Sequence, residues 1–221
     1  RVEPGGPRLA AQPAAGRGGL RGAIDFARGD RYARLFLPVT VGMGALAGGY
    51  QTLVPVLADR VFGDTAWWTS WFFGATGAGA LAGALLLSTG AAGMTLRRMP
   101  VPLPWLVMLA LFGLGQSTAA LPTLLCFAVI GFGMTLSVTS TSAVLHRRVP
   151  PQARNGLIAL LLVGFNGMLP LSQLMAGQLA EHWGVARSFQ LMGAALAVVL
   201  LLLFVPRWVS LRRIEFDAER I

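Results

Sequence analysis

The chain has 221 residues and a net charge of +9, yet only 12% of its residues are charged and 55% are hydrophobic. A soluble domain of this size carries about a quarter charged residues, so that class is set aside first. A nucleic-acid partner is set aside next: every basic residue is Arg, and the arginines flank apolar runs instead of forming a basic helix face.

Residues 1–20 are rich in Gly, Pro, Ala and Arg and read as a disordered linker or tail. Residues 1–30 contain no apolar stretch, so no signal peptide is expected. The chain opens on Arg1, and the expectation is a fragment whose upstream part is missing. Residues 21–34 read as a cytoplasmic juxtamembrane segment. Six apolar runs follow, at 35–57, 66–88, 101–119, 122–144, 157–179 and 187–206, and residues 207–221 form a cytoplasmic tail. A membrane helix needs about 20 apolar residues. The predicted fold class is therefore all-α, a polytopic membrane protein with a six-helix transmembrane domain over 35–206.

Charge placement supports this. Between Leu35 and Pro206 the ionised residues are Asp59, Arg60, Asp64, Arg97, Arg98, Arg147, Arg148, Arg154, Glu181 and Arg187, all in expected connections. An unpaired charge at the bilayer centre is costly. Arginines concentrate in the N-terminal segment, in the connection with Arg97 and Arg98, in the RRVPPQARNG connection with Arg147, Arg148 and Arg154, and in the C-terminal tail. The positive-inside rule puts both termini and these two connections in the cytoplasm, where the arginines can meet lipid head groups. RRVPPQARNG itself reads as a turn, with Pro150 and Pro151 stopping one helix. Trp67, Trp68, Trp71, Trp105, Trp183 and Trp208 all fall near predicted water boundaries and read as interfacial anchors. The absence of Lys beside abundant Ala and Gly fits a GC-rich bacterial coding bias, hence a bacterial inner membrane.

Small residues mark helix packing. Gly44 and Gly48 in the first run, and Ala75, Gly79 and Gly83 in the second, recur four apart, which lets helix backbones approach closely in lipid. GATGAG is no phosphate loop, because the Gly-Lys-Ser/Thr ending is missing. Pro55 and Pro170 are expected kinks.

Polar residues inside the runs are the candidates for function. The first run holds Tyr50, Gln51 and Thr52, the fourth holds Ser137, Ser140 and Thr141, and the fifth holds Asn166, Ser172 and Gln173. A primary amide facing lipid leaves hydrogen-bonding sites empty, so these residues are expected to line a substrate cavity or to join helices. No ionisable residue occupies a run's centre, and His146 and His182 lie at opposite ends. No catalytic constellation, metal site or cofactor is expected, and Cys126, the lone cysteine, reads as a core residue.

YQTLVPVLADRVFGDTAWWTSWFFGATGAGALAGALLL resembles the seventh and eighth helices of major facilitator superfamily transporters, in the enterobactin-exporter-like and macrolide-efflux-like branch. The residues that carry the likeness are Pro55, Ala58, Val61 and Gly63, then Gly74, Gly79 and Gly83. HRRVPPQARNGLIAL resembles the connection between that family's tenth and eleventh helices through Val149, Pro150, Arg154 and Gly156, with Asn155 as a departure. STGAAGMTLRRMP stands where the family's charged loop recurs, but it lacks the acidic residue. The resemblance covers about Gly22 to Arg213. It implies the C-terminal half of a twelve-helix secondary transporter, built from two inverted three-helix repeats. Its first, second, fourth and fifth helices would line the cavity, and its partners would be the bilayer, a missing N-terminal six-helix half and a small amphipathic substrate. The competing readings are the membrane half of an ATP-driven exporter and a non-transporting membrane scaffold.

Overall fold

The structure, a computed structural model, describes residues 24–25, 27–30, 32–88, 102–148 and 151–204. The expected linker at 1–20, the tail at 207–221, and Arg97 and Arg98 lie outside the described residues. Among the described residues the regular elements are all helical. They are α1 (Ala33–Ala47), α2 (Tyr50–Leu57) with a π-helical turn (Ala58–Phe62), α3 (Thr65–Ser88), α4 (Pro102–Leu114), α5 (Ala120–Arg148), α6 (Pro151–Trp183) and α7 (Val185–Phe204). Among the described residues, five stretches are long and apolar enough to cross a membrane: Ala33–Phe62, Thr65–Ser88, Ala120–Leu145, Gly156–Trp183 and Val185–Phe204. α4 is an apolar helix of 13 residues.

The first apolar run is not one regular helix. The Gly48 N–H reaches back five residues to the Met43 carbonyl, 3.2 Å away, and the Thr52 N–H bonds the Gly49 carbonyl at 3.1 Å in a tighter turn. Between them the Gly49 N–H donates across the bundle to Ser172 Oγ on α6 at 2.7 Å. The break thus falls at Gly48–Gly49, not at the expected kink Pro55, which sits within α2. The helix then continues as the π-helical turn to Phe62, so Asp59 and Arg60 are helical and the expected connection shrinks to Gly63 and Asp64. Gly63 ends the helix with φ 75°, a left-handed conformation that favours glycine. Asp64 Oδ1 accepts the Trp67 N–H at 3.0 Å and caps α3.

RRVPPQARNG is also mostly helical. α5 runs through Arg147 and Arg148, and α6 opens on Pro151 and contains Arg154 and Gly156. Proline suits a first helical turn because the N–H it lacks would have no intrahelical partner there. α6 runs unbroken past Pro170 to Trp183. α4, by contrast, is shorter than the expected 101–119. The N–H groups of Gln116 and Ser117 both fold back onto the Gly113 carbonyl, at 3.1 and 2.9 Å, and close the helix.

The bundle is organised by a few close pairings: α3 with α5, α1 with α6, α4 with α5 and with α7, and α1 with α7. Glycine sets the closest of them. A Cβ on Gly79 would overlap the Ala128 carbonyl, and one on Gly131 would overlap the Thr76 carbonyl, so α3 and α5 meet backbone to backbone. Gly83 faces Leu136 and Phe132 farther along the same seam, and Ala75 packs against the core. Gly44 and Gly48 meet α6 at Phe165 and Leu169. Dispersion across such seams replaces the hydrophobic drive that lipid cannot supply. Across the α3–α5 seam Phe72 stacks on Phe127 with centroids 4.9 Å apart, and it meets Phe62 of the π-helical turn edge-on at 5.4 Å.

A candidate polar site at the α2–α6 seam

The nine polar candidates divide by burial. Ser137, Ser140 and Thr141 face the interior of the bundle from α5. The Ser140 hydroxyl donates to the Leu136 carbonyl of its own helix, a local bond that satisfies a buried hydroxyl without a ligand. Thr141 Oγ1 lies 3.3 Å from Thr40 Oγ1 on α1. Thr40, buried and bonded to the Phe36 carbonyl at 2.9 Å, was not among the expected polar residues. It stands near the start of its run, and only a partner 101 positions away gives it meaning. Ser137 Oγ is buried with no hydrogen-bond partner among the described residues.

Tyr50 is buried as well, with its ring 6.2 Å from Phe127 and with Gln51 and Thr76 as polar neighbours. Ser172 is buried by its role in holding the Gly49 N–H. Thr52 is half-buried on α2.

The amides lie farther out. Gln51 is exposed on α2, and Gln173 reaches it from α6, its Nε2 donating to Gln51 Oε1 at 3.4 Å. Asn166, about two helical turns before Gln173, is exposed and donates its Nδ2 hydrogen to the Leu162 carbonyl at 2.9 Å. Each amide therefore keeps unused donors and acceptors. α3 and α6 are the least buried of the five long apolar helices. Gly74 and Gly77 on α3, and Gly167 and Gly177 on α6, have open space where a Cβ would be. The site thus offers neutral hydrogen-bonding groups on an apolar wall. Among the described residues no three His, Cys, Asp or Glu side chains cluster as metal ligands.

No protein-family model matches the chain, and neither the curated proteins nor the solved structures provide a significant match.

Proposed function

We propose that this chain is one six-helix half of a secondary transporter of the major facilitator type, exporting a small amphipathic molecule by alternating access. The observation that carries the proposal is the exposure of Gln51 and Asn166, with the half-buried Gln173 bonded to Gln51, on otherwise apolar helices. Amides left with spare donors and acceptors are poorly placed against hydrocarbon. A second protein wall, with a wet cavity between, satisfies them.

The packing pattern supports the repeat architecture. Exchange the first three apolar runs for the last three: α1–α2 becomes α5, α3 becomes α6, and α4 becomes α7. The α3–α5 pairing then maps onto α6–α1, α4–α5 maps onto α7–α1, and α4–α7 maps onto itself. Such internal symmetry accompanies inverted-repeat transporters. In this reading α4 with its following turn makes the third crossing, the N-terminal half packs on the exposed faces of α3 and α6, and both termini are cytoplasmic in a bacterial inner membrane. The neutral site takes its substrate by hydrogen bonds and apolar contact.

The test is thiol accessibility in the complete transporter. Asn166→Cys and Gln173→Cys, in a Cys126→Ser background, should react with a charged, membrane-impermeant thiol reagent and be protected by substrate. Inert thiols at both positions would place the amides against lipid and remove the cavity.

A further inference from the structure

Two recesses open side by side where α6 turns into α7. The inner one, about 300 Å³, is walled by Ala45 and Leu46 of α1, Met175 and Leu179 of α6, and Met192 and Ala195 of α7. Its hydroxyl, Ser172, already accepts the Gly49 N–H. The space therefore has little to offer a polar ligand and suits a hydrocarbon chain. The outer one, about 500 Å³, is walled by Phe112, Arg187, Gln190 and Ala194. Trp183 and Leu191 line both, so the two adjoin at one indole.

The outer recess is polar where the inner one is not. Arg187 is exposed and has no acidic partner among the described residues. Gln190 spends one amide hydrogen on the Gly115 carbonyl at 3.3 Å, just past the end of α4, and keeps its carbonyl oxygen. Trp183, 55% exposed, stands at the end of a long apolar helix, where an indole marks the head-group level of a bilayer. A planar guanidinium binds phosphate with charge-assisted hydrogen bonds.

We infer that these adjoining recesses form a phospholipid-binding site, with the lipid phosphate on Arg187 and one acyl chain in the inner recess. Cation, amide, interfacial indole and dry crevice follow one another in the order of a phospholipid's own parts. A soluble anion would use Arg187 but leave the crevice empty, and an uncharged hydrocarbon would do the reverse.

The experiment is native mass spectrometry of the full chain purified in detergent and incubated with palmitoyl-oleoyl-phosphatidylglycerol. One lipid should remain bound. Arg187→Gln should lower its retention about tenfold, the equivalent of one charge-assisted contact. Ala195→Phe, which fills the inner recess, should lower it similarly. Arg60→Gln, at an exposed cation outside both recesses, should leave retention unchanged, and glycerol phosphate should not displace the lipid. Equal retention in Arg187→Gln and the wild type would overturn the site. So would equal loss in Arg60→Gln, or displacement by glycerol phosphate.

Discussion

The backbone N–H of Gly49 is bonded not to its own helix but to the hydroxyl of Ser172, 123 positions later and 2.7 Å away. That bond closes a gap created where the helix between α1 and α2 breaks. Both groups are buried, so neither has water as an alternative partner. Ser172→Ala should therefore cost about 1–3 kcal/mol, the penalty for an unpaired buried donor. A lowered unfolding midpoint in detergent would register it, and an unchanged midpoint would mean that Gly49 finds another acceptor.

Gly79→Ala should push α3 off α5, because the new Cβ meets the Ala128 carbonyl. Overpacking of this kind costs about 1–3 kcal/mol. Gly77→Ala, two residues away with open space around it, should instead be neutral or stabilise the helix by about 0.5–1 kcal/mol. Denaturant titration of the two variants side by side separates packing from intrinsic helix preference. Similar losses in both would remove the seam as the cause.

Thr40 and Thr141 are hydroxyl neighbours across the α1–α5 contact. A double-mutant cycle with Thr40→Val and Thr141→Val should return a coupling of about 0.6 kcal/mol, the average for interhelical hydrogen bonds in a membrane bundle. Strict additivity of the two single changes would show that each hydroxyl bonds only within its own helix.

How much of this was readable beforehand depends on where each cause lies in the chain. Long apolar runs bounded by arginine and proline located the helices, because desolvating a charge is costly at any position along them. Their ends were harder. Pro151 reads as a stop, yet it opens α6, and Pro170, an expected kink, lies within that unbroken helix. The break at Gly48–Gly49 could not be read from its own neighbourhood, because its hydrogen-bond partner is on α6. The polar candidates are legible as residue types, but their burial is not. Ser140 and Gln173 both sit in apolar helices, and only the fold puts one inside and the other at the rim.

The Gln51–Gln173 contact offers a distance test independent of transport. Gln51→Cys with Gln173→Cys, again without Cys126, should be joined efficiently by a short bifunctional thiol reagent. Gln51→Cys with Leu85→Cys, on the exposed side of α3, should not. Equal yields in the two pairs would indicate that α2 does not hold its place against α6.

The proposed orientation can be tested with reporters. A fusion partner active only in the periplasm should work after Ala120 and fail after Gln152. The reverse pattern would invert the bundle, leaving its internal packing untouched.

The early close of α4 has a consequence for the outline of the bundle. The helix ends at Leu114, where the chain turns back onto the Gly113 carbonyl, about five residues before the expected end of its run. At about 1.5 Å per residue, that lowers this end of the helical wall by roughly 7 Å. Where this side faces a bilayer, the neighbouring acyl chains would shorten or tilt to follow it, at a small cost for each ångström of mismatch.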